Sequence, residues 1–191
     1  MESIYAKPAW FVQTVSDLQR HEGFREFAYP DPLSPIGRKF PQGKPWGFSP
    51  GDALLAKFGF SERDGRPWTC GFGDTVGVTP ATRWPLPYAT RRLEQQLIDH
   101  VKGLDMLMPD WHKHPLPVQT VLANMIYNLG LKRLSMFRPT LNVIDSGNYA
   151  GAAVRLRATP WFRQTGSRGI ELCNRLQFCK IEPEHLVVRE A

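Results

Sequence analysis

Hydrophobic positions recur at helical spacing near both ends of the chain and lose that spacing in between. From Pro8 to Glu22, the residues Phe11, Val15 and Leu18 follow one another at intervals of four and three, the period of one helix face. Pro8 is compatible with a first turn, and Gly23 is placed to end the helix. Glu22 comes four residues after Leu18, so it is expected on the same inward face, at the last turn. The segment Phe24 to Pro87 lacks this periodicity. Between Pro30 and Pro50, nine of 21 residues are Pro or Gly, which predicts irregular or polyproline-like chain, neither sheet nor helix. One short helix is expected around Gly51–Phe58. Trp68 to Asp74 alternates bulky and small residues and predicts a strand or hairpin, with close backbone approach at Gly71 and Gly73.

The helical period returns from Tyr88 to Lys180. Leu93, Leu97, Val101, Leu104 and Met108 mark one helix. Val118, Val121, Leu122, Met125, Ile126 and Leu129 mark the next, ended by Gly130. Thr140–Ile144, Tyr149–Leu156 and Ser167–Phe178 are shorter candidates, separated by the Asp145–Asn148 turn and by Pro160. The expected fold class is α+β, mainly helical, in a single domain spanning residues 1–191. A small loop-rich β lobe (24–87) would sit with a helical bundle lobe (1–23 and 88–180), and the cleft between lobes is the natural ligand site.

Composition narrows the classes. The chain has 191 residues, 42% hydrophobic and 22% charged, enough to bury a core and too apolar for a disordered chain. No run approaches the length of a membrane span, so no stable membrane insertion is expected. The first ten residues lack a basic n-region followed by an apolar run, so no cleaved signal peptide is expected. Three cysteines form no disulfide framework and fit a reducing compartment. The net charge of +6 favours an anionic partner such as nucleic acid, a membrane surface or a cell-wall polymer. The excess is concentrated between Ala150 and Lys180, where six basic residues accompany one acid, Glu171. A solvated helical face is the alternative.

Three residues are candidates for chemistry. Glu22, on an apolar face, would have its pKa raised by desolvation, as a general acid requires; it could equally be a boundary glutamate paired with Arg20 or Arg168. Asp31 lies between Pro30 and Pro32 on a stiff segment and reads alone as a turn residue. Paired with Glu22, it gives one carboxylate in an apolar setting and one in a polar loop, the arrangement of glycoside hydrolysis. Thr69 is an ordinary β-former or a hydroxyl that holds a water. His112 and His114 supply too few ligands for a metal, and neither CxxC nor HExxH occurs. Gly71-Phe72-Gly73 lacks the third glycine and following helix of a dinucleotide loop. No metal or cofactor is expected. Trp46, Phe48, Trp68, Phe72, Trp84 and Tyr88 could stack sugars or bases, or pack in the core.

The combination His21-Glu22-Gly23 through Tyr29-Pro30-Asp31, then Trp68-Thr69-Cys70-Gly71-Phe72-Gly73, resembles the bacteriophage-type lysozymes of glycoside hydrolase family 24. That family's pattern is Glu-Gly, then Ala/Ile-Tyr-x-Asp, then Thr-x-Gly-x-Gly. Asn128-Leu129-Gly130 is similar to its Asn-Val-Gly helix end, and Trp161 to Arg168 to its Trp-x-x-Gln-Thr/Gly-x-x-Arg segment. The resemblance implies a lysozyme-like fold and an inverting muramidase cleaving the β-1,4 bond between N-acetylmuramic acid and N-acetylglucosamine. It implies Glu22 as general acid, Asp31 as second carboxylate and Thr69 as the water-positioning hydroxyl. Arg168 would be an interior arginine near the acid, and Gly71, Gly73, Asp74 and Asn128 would support or contact substrate. The implied partner is bacterial peptidoglycan, with no nucleic acid, acting as a monomeric endolysin held in the host cytoplasm until released to the periplasm or wall.

Two features depart from the family pattern. Residues 32–68 form an insertion of 37 residues between Asp31 and Thr69, a length that loop closure tolerates. Asp74 stands where the family commonly has histidine, adding a further carboxylate. The insertion is expected to be ordered beside the cleft entrance. Lys39 and Lys44 would draw anionic wall to it, and Trp46, Phe48 and Phe58 would either stack sugars or pin the loop to the β lobe. Two other functions stay open: a lytic transglycosylase on the same fold, and a non-catalytic module binding wall polymer or nucleic acid through the basic stretch. No helix-turn-helix or RNP-like signature supports the nucleic-acid variant.

Overall fold

The computed structural model describes residues 6–40 and 52–179, with 52–54 described in backbone only. It is a mainly helical α+β protein with a small two-stranded antiparallel sheet. In order, the elements are α1 (Ala9–Glu22), β1 (Arg25–Tyr29), α2 (Pro35–Lys39), α3 (Asp52–Lys57), β2 (Thr69–Gly71), α4 (Leu86–Leu107), α5 (Leu116–Leu134), α6 (Arg138–Asp145), α7 (Tyr149–Arg157), α8 (Pro160–Thr165) and α9 (Ser167–Gln177). The chain divides into two compact units, one of Leu18–Gln95 and one of the residues before and after it; α1 and α4 contribute to both.

Two short helices form where proline was expected to exclude them. Ser34 caps α2 by accepting the Gly37 N–H at 3.0 Å, and Pro35 occupies the first turn, where its missing N–H has no intrahelical partner to lose. Thr159 caps α8 in the same way, accepting the Phe162 N–H at 3.2 Å ahead of Pro160. In both segments proline starts a helix instead of breaking one. Gly130 has φ 69° and ψ 167°, so α5 is interrupted at the expected stop before its last residues resume a helical course.

In the Leu18–Gln95 unit, Tyr29 pairs with Thr69 and Arg25 with Gly71, with a bulge between the two pairs. Phe27 bridges to Arg83 on the other edge of β1. A core of Ala28, Ile36, Leu55 and Trp68 is flanked by Phe40, Phe58, Phe60 and Val78. Phe40 meets Phe58 and Phe60 edge-on, with centroids 5.6 and 6.3 Å away. Lys39 lies 5.4 Å over the Phe60 ring. The described aromatics of the insertion therefore pin it to the β strands. Lys44, Trp46 and Phe48 lie outside the described residues.

The other unit is built around α5, whose residues from Val118 to Ile126 are buried on almost every face. Helix α9 packs against both α5 and α7. Beneath this packing lies a buried acid, Asp17 of α1, with 1% of its side chain exposed. Both Asp17 oxygens receive Arg175 Nη groups, the Oδ1 contact at 2.9 Å. Arg175 also donates to Glu171 at 2.6 Å and to Thr120 at 3.3 Å. Removing one partner of such a pair strands the other charge away from water. Arg175→Met is expected to lower unfolding free energy by about 3 kcal/mol, the lower end of that class because Arg175 keeps some solvent access; urea denaturation measures it.

His114 is enclosed in the same unit. Its Nδ1 lies 3.0 Å from the Tyr149 hydroxyl, and its buried Nε2 is 3.9 Å from Asp145 Oδ1. Burial lowers its pKa below the usual 6.5, against a smaller upward pull from Asp145 and then Asp110. The folded state binds this proton more weakly than the unfolded chain does. Its stabilisation is therefore complete above pH 6.5 and is lost as pH falls through the lower folded value. Melting temperature should decline below pH 6.5, and His114→Gln should flatten that decline in a thermal-melt series.

Candidate active site

The site grows from the turn that follows β2. Cys70 and Asp74 exchange backbone hydrogen bonds of 2.9 and 3.1 Å, closing a loop of Gly71, Phe72 and Gly73. Gly71 and Gly73 have φ of +66° and +85°, a region that a Cβ makes costly. A Cβ on Gly71 would stand 3.1 Å from both Ala89 Cβ and Trp84 Cε3. A Cβ on Gly73 would stand 3.5 Å from Glu22 Oε2. The Glu22 carboxylate thus lies close to the turn at Gly73, while it is the positive φ that requires glycine there.

Glu22 is the last residue of α1 and is exposed. This corrects the expected apolar, inward setting. Phe11, Val15 and Leu18 are buried as their spacing predicts, but spacing gives only an angular face. It carries no information on whether anything covers the final turn, and the packed stretch of that face ends at Leu18.

Thr69 lies opposite Tyr29 across the sheet. The Arg25 guanidinium sits 4.8 Å over the Tyr29 ring. Burial pushes the Tyr29 phenol above its usual pKa; the Arg25 charge opposes that and the Glu22 charge reinforces it. Arg25 and Tyr29 of β1 thus face Gly71 and Thr69 of β2, and Glu22 approaches Gly73 in the turn that follows. Tyr29 and Arg25 were not singled out as site residues from the sequence, because only the bulged register brings Tyr29 to Thr69.

Asp31 stands two residues beyond Tyr29, in a turn of its own. Its Oδ1 accepts the Leu33 N–H at 2.7 Å, and its backbone oxygen accepts the Ser34 N–H and Oγ–H at 3.0 and 2.6 Å. Its own N–H donates to Gly65 O at 3.0 Å. A Cβ on Gly37 would fall 2.0 Å from Asp31 O, so the turn depends on that glycine. One carboxylate oxygen of Asp31 is thereby committed to the turn.

Asp74 is buried, with both carboxylate oxygens engaged. Oδ2 accepts Arg92 Nε and Nη2 at 2.8 and 2.6 Å, and Oδ1 accepts the Val76 N–H at 2.8 Å. Its role is to hold the turn. Glu26 is likewise tied to Arg83, by contacts of 2.9 and 2.8 Å.

Arg168 and Asn128 belong to the other unit. Arg168 is buried in the first turn of α9. Asn128 Oδ1 accepts the Trp161 indole N–H at 2.9 Å, joining two of the segments that carry the family resemblance. The basic stretch is not a uniform charged face: Arg168 is buried, Arg175 is bound to Asp17, and Arg157 donates to Asn174 at 2.9 Å. Arg155 and Arg163 are exposed, and Lys180 lies outside the described residues. Trp68 and Phe72 are core residues. The Trp84 ring carries Arg92 at 4.9 Å and meets Tyr88 edge-on at 5.3 Å. Among the described residues, no three His, Cys, Asp or Glu side chains gather as metal ligands, and no helix is long and apolar enough to cross a membrane.

No protein-family model matches the chain, and no curated protein does.

Asp74→Asn should weaken the Arg92 lock at a cost of about 1–3 kcal/mol. The activity per folded molecule should be retained. Paired thermal melts and activity assays check this; lost activity at unchanged melting temperature would make Asp74 a chemical group.

Proposed function

We propose that this protein is a peptidoglycan hydrolase, a muramidase cleaving the β-1,4 bond between N-acetylmuramic acid and N-acetylglucosamine. The observation that carries the reading is the Glu22 carboxylate lying beside Gly73, in the turn that follows Thr69 on β2, with Tyr29 opposite Thr69 across the sheet. These residues occur in the order Glu-Gly, Tyr-x-Asp, Thr-x-Gly-x-Gly. In this reading protonated Glu22 gives its proton to the glycosidic oxygen as the C–O bond breaks. Thr69 holds a water that attacks the anomeric carbon from the opposite face, and Asp31 takes the proton that water releases. The outcome is inversion. The reading includes a lysozyme-like arrangement of two lobes with a substrate cleft, in which Arg168 supports the acid. It also includes a phage endolysin acting as a monomer, held in the host cytoplasm until it reaches the wall.

One observation favours a second reading. Asp31 already spends an oxygen on its own turn, which weakens it as a base. A lytic transglycosylase needs the acid alone, because the muramyl C6 hydroxyl replaces water as nucleophile. A 1,6-anhydro end on the released sugar would select that reading; a reducing end selects hydrolysis.

Glu22→Gln should reduce lysis of permeabilised Gram-negative cells by about a hundred- to ten-thousand-fold. Its melting temperature should stay unchanged, because Glu22 is exposed. Full turbidity loss with the variant would remove Glu22 from the chemistry.

A further inference from the structure

We infer that a groove between the insertion and the segment leaving the Cys70–Asp74 turn is a subsite for a neutral sugar ring. The assignment rests on the hydrolase reading above for the glycan that supplies the ring. The groove has a volume of about 560 Å³, a size that holds a small ligand. Glu62, Arg66, Pro67 and Trp68 of the insertion line one side, and Thr75 and Val78 line the other. Both sides are held in place. Buried Trp68 donates its indole N–H to Glu62 O at 2.8 Å, and Asp64 Oδ2 accepts the Ser61 N–H and hydroxyl at 2.7 and 2.8 Å. Opposite, the Val76 N–H donates to Asp74 at 2.8 Å, and Val76 O accepts from Arg92 at 3.2 Å. Arg66 Nη2 donates to Glu62 Oε1 at 2.8 Å, which uses one nitrogen and one oxygen of the pair. Among the described residues, no group hydrogen-bonds Glu62 Oε2, the other Arg66 nitrogens or the Thr75 hydroxyl. A carboxylate only accepts and a guanidinium only donates, whereas a sugar hydroxyl does both. Neighbouring hydroxyls of one ring can donate to Glu62 Oε2 and accept from Arg66 without parting the two. The pair has no net charge, so an ion of either sign is attracted by one member and repelled by the other. Pro67 and Val78 give the C–H face of the ring an apolar surface.

The probe is the neutral β-1,4-linked trisaccharide of N-acetylglucosamine, titrated into the full chain carrying Glu22→Gln so that it is not cleaved. Backbone amide resonances of residues 62–68 and 75–79 should shift and saturate. In that background Arg66→Ala should weaken binding about tenfold and Thr75→Val about threefold, the loss of a charged and of a neutral hydrogen bond. Melting temperatures should not change, because both side chains are exposed; if one variant is destabilised, the other decides. With Glu22 intact, both variants should raise KM on solubilised glycan strands by those factors and leave kcat within about twofold. Resonances that do not move at those residues overturn the assignment, as does unchanged affinity in both variants. Tighter binding of the anionic stem peptide than of the trisaccharide also overturns it, making the groove a peptide site. The two readings fail separately. Lysis that depends on Glu22, with a groove that ignores the trisaccharide, keeps the hydrolase and removes the subsite. A wild-type protein that releases no product, with a groove that binds the trisaccharide, removes the hydrolase and leaves a sugar site.

Discussion

The turn from Cys70 to Asp74 is the constraint on which the candidate site depends. Two glycines at positive φ let the chain reverse within three residues, and the two Cys70–Asp74 hydrogen bonds close it. Asp74 then anchors the turn by accepting two Arg92 donors and the Val76 N–H in a buried position. Such charge-assisted bonds are short and directional. Because the turn is held, β2 enters the sheet in a single register, Thr69 meets Tyr29, and Gly73 presents bare backbone to Glu22. A side chain at Gly73 would be strained by its φ of +85°, and a slipped register would face Thr69 elsewhere.

Carboxylates in this protein differ in role because they differ in surroundings. Asp17 is sealed against Arg175 and belongs to the core of its unit. Asp74 and Glu26 are each engaged by an arginine, Arg92 and Arg83 respectively. Asp31 caps a loop turn. Glu22 lies at an exposed helix end beside a glycine turn. The family resemblance gives Glu22 and Asp31 catalytic roles and leaves Asp74 as a departure from its pattern; the structure commits one Asp31 oxygen to its own turn and both Asp74 oxygens to Arg92 and Val76. The same holds for the cations: a stretch rich in arginine contains one that is buried and one that neutralises an internal acid.

Helices were legible in the sequence wherever apolar residues repeat over several turns. The spacing of Leu93, Leu97, Val101 and Leu104 describes a buried face of α4, with buried Met108 just beyond its end, and Gly23 and Gly130 mark real interruptions. The short helix around Asp52–Lys57 and the strand at Thr69–Gly71 were also readable. Helices α2 and α8 were not, because a capping Ser or Thr ahead of a proline turns a helix breaker into a helix start. Glu22, Thr69, Gly71 and Gly73 could be named from motif order alone.

By itself the sequence determined the helical periods, the glycines a tight turn requires and the residue types available for acid chemistry, since each is a local property of neighbouring side chains. Tertiary structure decided the rest. Whether Glu22 is covered depends on what packs over the end of a helix. Whether Asp74 is available depends on Arg92, 18 residues away along the chain. Whether Tyr29 meets Thr69 depends on a bulge that changes which residues stand opposite each other. Pairings of that kind join positions distant in the chain, and no local pattern encodes them.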